Sequence, residues 1–220
     1  MSIPKIASYE LPLQQDYPQN KVNWPLDAEK AVLLIHDMQQ YFVNFYGADS
    51  SLIQQVVSNI EALKSACKAV GIPVVYTAQP TCQSDADRAL LNDMWGPGLT
   101  QDQEQYPVVE SISPDSDDKV LQKWRYSAFQ RSELEGWMKS QGRDQLLLCG
   151  VYTHIGVMTS AVDAFMRDIK PFLVADASAD FSKAEHEFAL HFVARRCGVV
   201  LPLSEVQLSL QAETHNTQQG

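Results

Sequence analysis

Four short stretches of this chain are apolar without interruption, 31–35 (AVLLI), 146–149 (LLLC), 172–174 (FLV) and 199–201 (VVL), and a fifth, 74–77 (VVYT), is so up to its closing threonine. A strand that alternates apolar and polar residues buries one face. One that is apolar throughout is buried on both faces, as happens when helices cover both sides of a parallel sheet. Between these runs the pattern changes to the helical period. Leu52, Ile53, Val56, Val57, Ile60, Leu63, Cys67 and Val70 recur at three and four residues, with Ser50 or Ser51 at the start and Gly71 and Pro73 as the stop. Further helices are predicted over 83–94, from a capping box at Ser132 and Glu135 to Gly142, over 154–168, and from a second box at Ser182 and Glu185 to Gly198. A shorter strand is predicted over 119–122. Strands alternating with helices mean an α/β fold: three layers, α/β/α, around a central, mainly parallel sheet of about six strands.

Residues 1–28 carry Pro4, Pro12, Pro18 and Pro25 without helical periodicity and read as an extended arm. The expected domain runs over 29–205, and 206–220 reads as a polar tail, either a frayed end or the start of a linker. With 17 Lys and Arg against 27 Asp and Glu, the formal net charge of −10 is a poor match for nucleic acid or an anionic membrane surface. No apolar stretch approaches the roughly 20 residues of a membrane span, and the N-terminus lacks a secretory h-region. The four cysteines (Cys67, Cys82, Cys149, Cys197) are scattered without a CxxC pair, which speaks against disulfides and a cysteine zinc site and for the cytoplasm.

Parallel sheets bind ligands beyond the carboxyl ends of their strands. After the first strand stand Asp37 and, shortly beyond, Phe42. A carboxylate directly after a buried run is costly unless paired or functional; from position alone, a loop-capping Asp and a working one stand equal. The second strand leads to Gln79, then to Arg88 and to Trp95 in a rigid Trp-Gly-Pro-Gly loop. Each also has a plain reading, as a loop amide, a solvated charge and a core-edge ring. The third strand feeds Lys123-Trp-Arg125-Tyr126, two positive charges and two aromatics suited to an unsaturated ring acid, or else a surface basic pair. The fourth enters a strand–turn–helix with Tyr152 and Gly156, where helix-start N–H groups suit an anion. Neither Ser nor Cys occupies the elbow.

In order and spacing these strand-end motifs resemble the isochorismatase-like hydrolase superfamily, from about residue 20 to 203. The longer motifs Leu34-Ile-His-Asp37-Met-Gln, Val75-Tyr-Thr-Ala-Gln79-Pro, Trp95-Gly-Pro-Gly98 and Lys123-Trp-Arg-Tyr-Ser-Ala-Phe129 look like those of its isochorismatase branch. Asp168-Ile-Lys-Pro-Phe172 and Asp176-Ala-Ser-Ala-Asp180-Phe-Ser continue the likeness. The resemblance implies an isochorismatase-like, Rossmann-like fold with Asp37 and Lys123 as catalytic residues. Gly156 stands where other branches carry a nucleophilic Cys, and so leaves room for substrate.

It further implies hydrolysis of isochorismate, in bacterial catecholate siderophore biosynthesis, to pyruvate and a dihydrodihydroxybenzoate. No covalent nucleophile is needed, because a vinyl ether is opened by protonating carbon and adding water. On this reading Asp37 is the general acid, its pKa raised by an apolar pocket, and Lys123 binds substrate or positions Asp37. Arg88 and Gln79 hold the carboxylates, aided by Tyr126, Tyr152 and the main-chain N–H of Gly156, while Phe42 and Trp95 flank the ring. No cofactor or metal is expected: Gln79-Pro80 stand where the nicotinamidase branch has metal ligands, and His36 and His154 alone do not make a site.

The resemblance also implies a homo-oligomer, dimer or higher, with siderophore-synthesis enzymes or a carrier domain as partners. No carrier-type Asp-Ser-Leu attachment site is seen in the chain. Three alternatives stay open: cleavage of 2-amino-2-deoxyisochorismate in phenazine biosynthesis, amidase activity through Cys149, and a non-catalytic scaffold for a siderophore assembly line.

Overall fold

The computed structural model describes residues 3–217, without the side chains of 100, 101 and 213–217. Six strands, β1 (Ala31–His36), β2 (Val74–Ala78), β3 (Lys119–Gln122), β4 (Gln145–Val151), β5 (Lys170–Ala179) and β6 (Val199–Leu201), form one sheet in the order β3-β2-β1-β4-β5-β6. Every pairing is parallel. Among the described residues the helices are α1 (Gln40–Val43), α2 (Ser51–Ala69), α3 (Asp85–Arg88), α4 (Leu91–Trp95), α5 (Leu134–Ser140), α6 (Met158–Phe165), α7 (Lys183–Arg196) and α8 (Leu203–Thr217).

The uninterrupted apolar runs have the expected cause. All residues of β1 and β4 are buried, and β1 sends Leu33 and Ile35 into one core cluster and Val32 and Leu34 into another. The first cluster packs α2 and α8 against the sheet through Ile60, Leu63, Val206 and Leu210. The second packs α5, α6 and α7 through Met138, Ala161 and Val193. These are the three layers. Strand order reverses at β1, with β2 on one side and β4 on the other. Loops leaving β1 and β4 therefore diverge and open a crevice at the carboxyl ends of the two strands.

Several local expectations are corrected. The helix over 83–94 is two short ones, broken where Ala89 adopts φ 48. The helix over 154–168 starts as a wide turn, Thr153–Val157, before α6 proper. Ser182 does cap α7: its Oγ accepts from the Glu185 N–H at 3.3 Å and donates to Glu185 Oε2 at 2.7 Å, so the glutamate returns to the serine hydroxyl. Ser132 and Glu135 are not joined in this way. Ser132 Oγ donates to the Ala128 carbonyl, and Glu135 pairs with Lys139 and Arg167. Residues 203–217 are helical rather than frayed or linker-like, because Val206 and Leu210 bury an apolar edge against α2; 218–220 lie outside the described residues. The N-terminal arm lacks regular structure apart from a short turn at Gln14–Asp16, yet its Ile3 and Ile6 are buried in the first cluster.

Candidate active site

The crevice holds the site. Asp37 is the first residue after β1 and adopts φ 50, a left-handed conformation that strains a residue with a β-carbon. Its carboxylate meets groups from the two neighbouring strands on one side, Thr77 of β2 and Lys123 after β3. Lys123 is the first residue after β3, and its Nζ donates to Asp37 Oδ2 at 2.5 Å, with side chains 5% and 7% exposed. Thr77, paired with His36 in the β1–β2 register, donates its hydroxyl to Asp37 Oδ1 at 2.6 Å and accepts from the Asp37 N–H at 3.1 Å. Burial alone would raise the Asp37 pKa. It is outweighed by His36 where that ring is protonated, by the Lys123 charge, and by the Lys123 and Thr77 hydrogen bonds, so the net shift is downward. Hence Asp37 is an ionised carboxylate here, opposite to the raised pKa expected of it. Burial also pushes His36 down to about 4, which leaves its ring neutral at pH 7 and Lys123 as the lasting counter-charge.

All nine sequence-selected residues line this one cleft, which encloses about 550 Å³ of space, partly open to solvent. Arg88 is 3% exposed, held by Nε donating to the Gly96 carbonyl at 2.5 Å and Nη1 donating to Gln83 Oε1 at 3.0 Å. Among the described residues it has no carboxylate partner. The Trp-Gly-Pro-Gly loop is its cradle: Gly98 has φ +61, and a β-carbon there would lie 2.5 Å from Arg88 Nη2. A buried guanidinium without an acid calls for an anion from outside. Gln79 Oε1 is buried without a partner and awaits a donor, such as a hydroxyl.

The aromatic walls are tied together. Trp95 Nε1 donates to the Tyr126 hydroxyl at 2.8 Å, which leaves the Tyr126 proton free for a ligand. Tyr152 donates its own proton to the Phe42 carbonyl at 2.8 Å, so it contributes a ring rather than a donor. Phe181 packs on Tyr152 at 4.6 Å and meets Trp95 edge-on at 6.0 Å. Arg125, which also lines the cleft, donates from Nη1 to the Asp87 and Trp124 carbonyls.

Two expectations for Gly156 need correction. Its N–H is not free for an anion, because it donates to the Tyr152 carbonyl at 3.1 Å. The room left by its missing side chain is not open to substrate, because the His36 ring occupies it.

Other contributors were missed. Thr77 ends an apolar run beside Asp37, so strand-end reasoning had the means to find it. Phe181 reaches the cleft from the wall and lies within the Asp176–Ser182 motif, where sequence reasoning does not single it out; Ile155 and, from the arm, Ile3 reach it with no such signal. The histidines part company: His154 donates through its backbone and ring to Asp180, near Glu185, outside the cleft lining. Cys149 is fully buried and its thiol pKa is pushed well up by burial, which makes it a core residue.

Known proteins share both the sequence and the fold. The chain is 59% identical over 206 residues to enterobactin synthase component B of Escherichia coli K12, covering 94% of this chain and 72% of that protein. It is 49% identical over 211 residues to isochorismatase of Bacillus subtilis strain 168, covering 96% and 68%. A cysteine hydrolase from Pseudomonas syringae pv. phaseolicola 1448A superposes with TM-score 0.80 at 22% identity over 89% of this chain and 98% of that one, a likeness of fold alone. Residues 31–205, from the first residue of β1 to the first turn of α8, match the Isochorismatase domain family, and the chain belongs to that family.

Proposed function

We propose that this protein hydrolyses the vinyl ether of isochorismate, releasing pyruvate and 2,3-dihydro-2,3-dihydroxybenzoate. The observation that carries the reading is the sealed Asp37–Lys123 pair facing a cleft whose other buried cation, Arg88, lacks an acid. Isochorismate brings two carboxylates and a ring hydroxyl. One carboxylate meets Arg88 and the other Lys123, the hydroxyl donates to Gln79 Oε1, and Phe42 and Trp95 flank the ring.

In the proposed reaction Asp37 delivers a proton to the methylene carbon of the enolpyruvyl group. Water adds to the oxocarbenium carbon that results and gives up a proton to the carboxylate. The hemiketal then collapses to pyruvate and the ring alcohol, with no covalent enzyme intermediate. Asp37, ionised in the free protein, must first gain its proton. A dianion placed beside it raises its pKa and draws the charge of Lys123 away.

The likeness to enterobactin synthase component B supports a place in catecholate siderophore biosynthesis, in the bacterial cytoplasm, with a carrier domain or siderophore-synthesis enzymes as partners and a dimer or larger homo-oligomer as the working form.

The test couples purified protein and isochorismate to lactate dehydrogenase. Pyruvate is expected from the native chain, and Asp37→Ala should lose at least about a thousandfold in kcat with an unchanged circular dichroism spectrum. Near-normal turnover by that variant would overturn the assignment of the acid. Faster turnover of 2-amino-2-deoxyisochorismate would overturn the substrate, and binding of a carrier domain without any pyruvate would favour a scaffold.

A further inference from the structure

Position 156 has a neighbour that forbids it a side chain. A β-carbon built on Gly156 would lie 2.0 Å from His36 Cε1, 2.5 Å from Nε2 and 3.0 Å from Nδ1. Non-bonded heavy atoms do not approach so closely, so either the turn or the ring would have to move. The turn is held at both ends of this residue: the Gly156 N–H donates to the Tyr152 carbonyl, and its own carbonyl accepts from Ser160 Oγ at 2.7 Å.

The ring is held as firmly. His36 is 1% exposed, with Nδ1 2.9 Å from the Val151 carbonyl oxygen and Nε2 3.3 Å from that of Tyr126. One of these carbonyls belongs to β4 and the other to the segment after β3, so the imidazole is clamped between two walls of the cleft. Asp37 Oδ2, 3.7 Å from Nδ1, closes a further side. A long aliphatic side chain could bend out of the way at little cost. This ring cannot do so without giving up the one hydrogen bond its neutral form can donate, for which the buried Val151 carbonyl at 2.9 Å is the nearer acceptor, and without leaving its packed place between the two walls.

We propose that His36 is the residue that decides what position 156 can carry. With the imidazole in place, the turn after β4 admits only hydrogen, and no nucleophilic side chain can stand there beside Asp37 and Lys123. With the ring removed, the same turn accepts one. Two positions remote in sequence therefore set together whether the cleft holds a nucleophile, and a thiol introduced at 156 alone is excluded from it.

The test uses the full chain in a Cys82→Ser background, since Cys82 is the exposed cysteine and Cys67, Cys149 and Cys197 are buried. Thermal midpoints are measured for Gly156→Ala, His36→Ala and the pair. Gly156→Ala should melt at least about 5 °C lower, in line with the strain of overpacking. The double variant should regain at least half of that loss relative to His36→Ala. In parallel, iodoacetamide labelling at position 156 is followed by peptide mass spectrometry. His36→Ala/Gly156→Cys should be alkylated at least about tenfold faster than Gly156→Cys alone; failure of the single variant to fold while the double one folds gives the same answer.

Three results would overturn the proposal: a Gly156→Ala midpoint within about 2 °C of the native protein, losses that simply add in the double variant, or equal alkylation rates. If neither cysteine variant folds, the alanine cycle decides alone. Neither readout uses turnover, so a native chain that released no pyruvate would remove the function proposed above and leave this test standing.

Discussion

Strand β3 has a lysine–aspartate cluster at each end, and the two do different work. At its entry, Asp115, Asp117 and Asp118 face Lys64 and Lys68 of α2, at separations of 2.6 to 3.2 Å. Asp115 and Asp117 are 55% and 77% exposed, so water shares their charges, while Asp118 at 1% exposure is held by both lysines and Lys64 also donates to the Ser113 carbonyl. The cluster pins the loop that feeds β3 onto α2. At the exit, one lysine and one aspartate face each other inside a cleft, almost sealed from water. Ion pairs that water can reach contribute little. A buried pair depends on its partner, and it is available to act on whatever enters the cleft. Surroundings, not residue type, separate fastening from chemistry.

The sharpest way to break this contrast is Lys123→Ala. It leaves a buried carboxylate uncompensated, which costs on the order of 3–5 kcal/mol less whatever Asp37 recovers by protonation. Pyruvate release should fall at least about a hundredfold and urea unfolding should show a clear loss. A fully active, equally stable variant would reduce the exit pair to the status of the entry cluster.

A pH profile of kcat/KM sharpens the contrast from another side. Because Lys123 and Thr77 hold the Asp37 carboxyl below its ordinary pKa, the protonated form becomes scarcer as pH rises from 5 to 8. Turnover by a general acid should fall by about tenfold per pH unit over that range. A flat profile would contradict the acid role.

Removing the unpaired charge is expected to act mainly on binding. Arg88→Ala should raise KM by about 10- to 100-fold, the equivalent of a lost charged hydrogen bond, with a smaller change in kcat. An unchanged KM would mean that the substrate carboxylate binds elsewhere.

The smallest effect belongs to the entry cluster. Lys68→Ala should leave steady-state turnover unchanged and shift the melting midpoint by only about 1–2 °C. A loss of turnover would mean that the two ends of β3 are coupled.

The elements that sequence reasoning placed correctly are those set by neighbours in the chain. Apolar runs marked the buried strands, and the strand-end rule picked out Asp37, Gln79, Lys123 and Tyr152, which meet in one cleft although they come from four different strands. The failures share a cause as well. Ser132 and Glu135 have the spacing of a capping box, but Arg167 and Lys139 compete for the glutamate. The segment after 205 looks polar, yet α2 offers Val206 and Leu210 a surface to cover. Ile3 belongs to the site only because the arm wraps back to it.

By itself the sequence determined the α/β architecture and the set of groups gathered at the strand ends, because hydrophobic period and strand polarity are local properties. Only the tertiary structure decided the charge of Asp37 and the fate of the space beside Gly156. Both depend on distances of a few ångströms between groups far apart in the chain, in a cleft where burial amplifies each charge and leaves no slack for a displaced ring. Sequence reasoning expected Asp37 to hold a proton and Gly156 to leave a vacancy. Packing set Lys123 against Asp37 and put His36 in that space.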